Sequence, residues 1–236
     1  MGLKVCFLSV SVKICQQQKQ GKRSMFHLIL LLGLGLATAF DPQSPTSFVV
    51  DFETDVPGTM SINVTRSLAP LGSDRFYALV QDKFFDAAAF FRVVPNFVVQ
   101  FGIAGTPTEN HKWDVTIPDD PVISSNAVGT LTFATAGPNT RTTQLFINLK
   151  TNKNLDGQGF APFGTVINGM DIAAKIFNPT PGKSGGVDQN QYTNKGNKWL
   201  KKAYPKVNFI TKATIRASTA AASAETLIDQ IRVRRP

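Results

Sequence analysis

Short apolar runs with a period of two, each closed by a turn, limit what this chain can fold into more than any other feature. Phe48, Val50 and Phe52 alternate with Val49, Asp51 and Glu53, and after the turn at Pro57-Gly58 the residues Met60, Ile62 and Val64 alternate with Ser61, Asn63 and Thr65. Successive strand side chains point to opposite faces, so the pair reads as a hairpin with one buried side. The runs AFFRVV, FVVQFG, GTLTFATA, QLFINL and FGTVI read as further strands. Pro70 opens the helical stretch PLGSDRFYALVQDK, with Phe76, Leu79 and Val80 on one side, and GMDIAAKIF at 169–177 predicts a second short helix ending before Asn178-Pro179. Many short strands with two helices predict a mainly β fold: a closed antiparallel barrel capped by two α-helices, because closure removes exposed edges.

A net charge of +9 points toward nucleic acid until it is located. Lys4, Lys13, Lys19, Lys22 and Arg23 precede residue 40, where there is no acid, leaving 20 basic against 16 acidic residues. That balance, without a Lys/Arg stripe interleaved with aromatics, excludes a phosphate track and predicts no nucleic-acid partner. Residues 26–39, FHLILLLGLGLATA, follow the basic KQGKR and end in the small-x-small pattern Ala37-Thr38-Ala39. This predicts a targeting segment over 1–39, a signal peptide cut before Phe40, because the run is short of the roughly 20 residues that span a bilayer. No stable membrane anchor is expected, and the destination is the lumen of the secretory pathway or the extracellular space. The acid-free stretch before Met25 leaves two alternatives open: a start at Met25 instead of Met1, or an organellar transit segment leading to a thylakoid-type lumen.

Both cysteines, Cys6 and Cys15, fall in that segment, so the mature chain is expected to lack disulfides, thiol catalysis and cysteine metal sites. His111 is then the sole mature histidine, which argues against a Ser-His-Asp hydrolase and a His-rich metal centre. Asn63-Val64-Thr65 is a glycosylation acceptor, making Asn63 a possible modification site if the chain enters a glycosylating compartment. Residues 178–198 read as a polar Gly/Asn/Lys loop. The GKS within it fails as a phosphate loop because Phe177 stands where a glycine is required. The domain is expected to span 40–215, followed by a flexible Ala/Ser-rich tail over 216–236. No heptad or large exposed apolar stretch calls for more than a monomer.

Two segments carry more than core. In FFRVVPNFVVQFG (90–102), Arg92 and Gln100 interrupt an apolar pair of strands. In GTLTFATAGPNTRTTQLFINL (129–149), period two puts Gln144, Phe146 and Asn148 on one face and Leu145, Ile147 and Leu149 on the other. A wall of core needs no polar-aromatic face.

These motifs, with LDGQGFAPFGTVINGMD, resemble those of the cyclophilin-type peptidyl-prolyl cis-trans isomerases from about Phe48 to Ile215. The closing GNKWLKKAYPKVNFI is similar to bacterial and secreted or organellar forms. The resemblance implies a closed eight-stranded antiparallel barrel and an isomerase that assists protein folding. It implies no metal or organic cofactor, and partners that are proline-containing polypeptides. It maps a catalytic group onto Arg92, Gln100 and Phe97, and a proline pocket onto Phe97, Val98, Phe146 and Leu155. Ala134, Thr135, Ala136 and Gln144 then line the adjoining groove. The chain departs from the family pattern at Thr135, where asparagine is common, and at Val98, where methionine is common. LDGQGFAPFG has no clear counterpart of the pocket histidine, and Asn154 stands where tryptophan favours cyclosporin. A second reading remains open: a chaperone or scaffold module binding Pro-containing segments with little turnover.

Overall fold

The alternation of the first hairpin becomes a register. The computed structural model describes residues 41–217. In it β1 (Ser47–Thr54) pairs antiparallel with β2 (Thr59–Thr65), setting Phe48 opposite Val64, Val50 opposite Ile62 and Phe52 opposite Met60. All six side chains are at most 1% exposed. The remaining strands are β3 (Arg92–Val94), β4 (Val98–Phe101), β5 (Thr130–Phe133), β6 (Leu145–Asn148), β7 (Pro162–Asn168) and β8 (Ile210–Ala217). They form one eight-stranded antiparallel sheet in the order β3-β4-β6-β5-β7-β2-β1-β8. The helices are α1 (Pro70–Gln81), α2 (Pro107–Lys112), α3 (Met170–Lys175) and α4 (Gln189–Ala203).

The expected closure is overstated. β3 and β8 end the sheet without a ladder between them. Their seam is bridged just ahead of each strand, where Phe90 N–H donates to Asn208 O at 3.0 Å and Ile210 N–H donates to Ala88 O at 2.8 Å. The sheet is a curled half-barrel.

Two helices beyond the expected pair are present. The 178–198 stretch, expected as loop, turns helical at Gln189 because Asp188 accepts the Gln191 N–H at 3.0 Å and caps the first turn. Tyr192 and Leu200 then bury completely, joining Phe91, Ile103 and Val187 in a second apolar cluster. At the far end β8 runs to Ala217, two residues into the expected tail, with Arg216 Nε 2.7 Å from Asp51 Oδ2. The targeting segment over 1–39 and residues 218–236 lie outside the described residues. Among those described, no helix is long and apolar enough to cross a membrane.

One face of the sheet is core. Val93, Val99, Ile147 and Leu131 are register partners across β3, β4, β6 and β5, and Phe101, Leu145 and Phe133 form the adjoining row. All seven belong to the main apolar cluster, with α1 packed over it through Phe76, Leu79 and Val80. Period two therefore sends the intervening side chains to the opposite face.

Candidate active site

On that opposite face the register lines up Arg92 with Gln100, Gln100 with Phe146, and Phe146 with Thr132, across β3, β4, β6 and β5. A cation, an amide and an aromatic ring thus stand side by side because three short strands pair without slip. They open onto a groove of about 610 Å³.

The polar residues form one chain of hydrogen bonds. Arg92 Nη1 donates to Gln100 Oε1 at 2.9 Å, and Gln100 Nε2 donates to Gln144 Oε1 at 2.8 Å. The last link needs β4 and the approach to β6 to touch: at Gly102 (φ +100°) a Cβ would lie 2.3 Å from Thr143 O and 2.8 Å from Gln144 Cα. Only glycine fits there. Burial lowers the Arg92 pKa from its ordinary value. A guanidinium starts so high that it stays charged at neutral pH.

Beside the arginine lies an apolar cup. Val98, Phe146 and Leu155 form a buried cluster of their own, with Phe97, Ala134 and Phe160 packed against it. The Arg92 guanidinium carbon sits 5.9 Å from the Phe97 ring centre, and Phe160 meets Phe146 edge-on at 5.7 Å.

A polar network behind the cup accounts for Asn148 on this face. Asn148 and Asn126 are fully buried, and Asn148 Nδ2 donates to Asn126 Oδ1 at 3.2 Å and to Thr130 Oγ1 at 2.9 Å. Asn152 Nδ2 donates to Asn148 Oδ1 at 2.7 Å and to Phe97 O at 3.0 Å, while Asn126 Nδ2 donates to Phe160 O at 2.9 Å. The cup's walls are therefore tied by their main chain to a satisfied buried network, which is rigid where a half-satisfied one is not.

Asp156 closes this network, accepting Ser125 Oγ at 2.5 Å and both N–H groups of Asn126 at 2.8 Å. It pins the 3₁₀ stretch Lys153–Gln158 that carries Leu155. Asp156→Ala is expected to lower stability by about 1–3 kcal/mol, read by thermal melting. Burial pushes the Asp156 carboxyl up, but the hydrogen bonds from Ser125 and Asn126 outweigh it and hold the pKa below the usual value. The stabilisation is thus fully present above the unfolded value of about 3.9 and is lost as pH falls through the folded one. The gap between parent and variant melts is expected to shrink in that acid window.

The other rim is the Ala134–Thr143 segment. Thr135 Oγ1 is spent within its own turn, bonding Gly137 O and lying 2.8 Å from Thr140 Oγ1, so the rim offers main chain rather than that hydroxyl. Arg141, only 3% exposed, anchors it by donating to Asp120 Oδ2 at 3.1 Å from both terminal nitrogens. Asp120 in turn accepts Leu71 N–H and Gly72 N–H at the start of α1. The carboxylate serves the helix N-terminus and the arginine at once.

All ten residues singled out for catalysis and binding (Arg92, Gln100, Phe97, Val98, Ala134, Thr135, Ala136, Gln144, Phe146 and Leu155) line this one groove. Sequence reasoning missed Phe160, Thr140, Thr142 and Gln158 on the rim, and Ser184, Gly185 and Gln189 beyond Arg92. Phe160 lies in LDGQGFAPFG, where the pocket histidine has no counterpart, and its aromatic character was the available signal. Asn63 is elsewhere, in β2 between β1 and β7, its amide oxygen accepting Ser47 Oγ at 3.3 Å.

A family model described as cyclophilin type peptidyl-prolyl cis-trans isomerase/CLD matches residues 49–197, more than half of the chain. The chain belongs to the cyclophilin-type peptidyl-prolyl cis-trans isomerases. A peptidyl-prolyl cis-trans isomerase of Acinetobacter baylyi is 33% identical over 148 residues, 60% of this chain and 78% of the relative. Peptidyl-prolyl cis-trans isomerase A of Dickeya dadantii is 32% identical over 165 residues, 66% of this chain and 84% of the relative. The crystal structure of a Cryptosporidium parvum cyclophilin type isomerase in the presence of the dipeptide Ala-Pro superposes with a TM-score of 0.53. At 19% identity it covers 72% of this chain and 99% of its own, and it supports the fold. The half-barrel is thus the fold of the family.

Proposed function

We infer that this isomerase rotates X–Pro bonds by electrostatic stabilisation of the twisted amide, without a covalent intermediate, and assists the folding of proline-containing chains. The observation that carries this reading is the Arg92 guanidinium, held by Gln100 at 2.9 Å and standing 5.9 Å from the Phe97 ring at the mouth of an apolar cup.

Amide resonance sets a rotation barrier of about 18–20 kcal/mol, so prolyl isomerisation takes tens to hundreds of seconds unaided. As the bond twists, the prolyl nitrogen regains its lone pair and becomes a hydrogen-bond acceptor. A guanidinium beside it stabilises that state more than either planar one, which is the condition for catalysis. Val98, Phe146, Leu155, Phe97 and Phe160 grip the ring, so the carbonyl side turns against a fixed proline. Gln100 orients the arginine, and the Ala134–Ala136 main chain with Gln144 holds the peptide on the acyl side. The presence of Ala-Pro with a structural neighbour supports a proline peptide as the occupant.

Exchange NMR on an Ala-Pro tetrapeptide tests the activity: catalysed cis-trans exchange is expected, whereas saturable binding at the background rate would favour the scaffold reading. Among the described residues the groove is lined by one arginine and otherwise by neutral side chains, with no Asp, Glu, His, Cys or Lys. Its catalysed rate is therefore expected to stay constant within about twofold between pH 6 and 8, and a bell-shaped profile would contradict the mechanism.

The basic and apolar leader with its Ala37-Thr38-Ala39 ending supports a lumenal or extracellular site of action, where new chains meet slow proline steps. N-terminal sequencing of the protein purified from its source cells is expected to begin at Phe40. An intact Met1 or Met25 would overturn the location.

A further inference from the structure

We propose that the strap Ser184–Val187 aims the arginine of this isomerase, with Gly186 as its positioning residue. The proposal rests on the reading of Arg92 as the group that acts on the prolyl bond. Among the described residues β3 is the last strand of the sheet, and its outer edge has no ladder partner. The strap covers it instead. Val187 N–H donates to Phe91 O at 3.0 Å, and Ser184 O accepts Arg92 Nε–H at 2.5 Å. Gln100 grips Nη1 from the other side. A guanidinium has five N–H donors, and two are now engaged from opposite directions. Both Nη2 hydrogens and one on Nη1 are left for the substrate, in an orientation that the two contacts set.

The close approach depends on one residue. Gly186 has φ +77°, and a Cβ on it would lie 2.6 Å from Arg92 Cβ, 2.7 Å from Phe91 O and 3.0 Å from Arg92 Cα. Any side chain there pushes the strap off β3 and carries the Ser184 carbonyl away from Nε. The strap is otherwise firmly seated: Val187 is 3% exposed beneath α4, and Asp188 caps that helix. Displacement would thus be felt at the arginine. Catalytic geometry is unforgiving, since a misplacement of about 1 Å costs about 10²-fold in rate.

Three variants and one resonance test this. Gly186→Ala is expected to lower kcat at least about tenfold while KM for an Ala-Pro tetrapeptide stays within about twofold. Gly182→Ala shares the positive φ (+81°) but meets nothing within 4 Å, and it is expected to leave both unchanged. In an Arg92→Ala background, adding Gly186→Ala is expected to change kcat/KM by less than about twofold, because the strap then has nothing to aim. The Arg92 Nε–H resonance is expected to exchange slowly with water in the parent and fast in Gly186→Ala. Parent-like kcat in Gly186→Ala overturns the proposal, and so does an undiminished loss in the Arg92→Ala background. Should Gly186→Ala fail to fold, a fast-exchanging Nε–H in the parent overturns it and a protected one upholds it. A parent without isomerase activity would sink the functional reading instead, leaving the strap to be judged on that resonance.

Discussion

Arg92→Ala is expected to lower kcat/KM for X–Pro rotation by about 10²–10³-fold, or about 2.7–4 kcal/mol of transition-state stabilisation, with the melting temperature nearly unchanged. The size follows from what the groove contains. Among the described residues its other lining groups are neutral, and none supplies a second charged donor. Stability is spared because the side chain lies on the groove face, away from the row of Val93, Val99 and Ile147 that builds the core. The partners it leaves, Gln100 Oε1 and Ser184 O, line an open groove that water can enter. Arg92→Lys keeps the charge but loses the planar fork that meets those two partners, and it is expected to fall between parent and alanine. Peptide affinity should change less than kcat, because the apolar cup is untouched. Exchange NMR with Ala-Pro peptides measures all three proteins, and an alanine variant as fast as the parent refutes the electrostatic mechanism.

The groove face was legible because it is a register effect. Once QLFINL and FVVQFG are strands, Gln100 and Phe146 must share a face opposite Ile147 and Val99, and the structure pairs them so. The hairpin around Pro57-Gly58 and the helix from Pro70 were legible for the same reason, since their apolar periods are long and unbroken. Asn148 was visible as an anomaly, but its partners Asn126 and Asn152 come from separate loops, and no local pattern announces a network assembled by the fold.

α4 was hidden by composition. Its asparagines, lysines and Gly196 read as loop, and Gly196 does break the helical backbone (φ 63°, ψ −163°). The helix exists because Tyr192 and Leu200 find the cluster with Phe91 and Ile103, a tertiary gain that propensity does not report. The strap on Arg92 was hidden with it, because Ser184 contributes a carbonyl and Gly186 an absence of side chain. The seam between β3 and β8 was overread for a different reason: removing edges favours closure, but a strap and a short bridge cover these edges without a continuous ladder.

Phe76→Ala is expected to remove about 3–5 kcal/mol of stability, against a typical total of about 5–15 kcal/mol. Phe76 is fully buried in α1, and its ring lies 5.6 Å from Phe85 and from Phe163, 6.3 Å from Phe52 and 6.5 Å from Phe48. These four rings come from β1, β7 and the turn after α1, so no single movement refills the cavity. For a domain of this size the melting temperature should fall by about 6–20 °C, with an unchanged slope in urea unfolding. At low temperature the folded fraction should keep parent-like kcat, because the cavity opens on the core face of the sheet. Phe146→Ala supplies the contrast: at 4% exposure it is nearly as buried, but it faces the groove, and its loss should appear first in proline-peptide binding. A loss below about 1 kcal/mol for Phe76→Ala would mean that α1 is not what locks the sheet. The groove rim tied to α1 through Asp120 and Arg141 would then need another anchor.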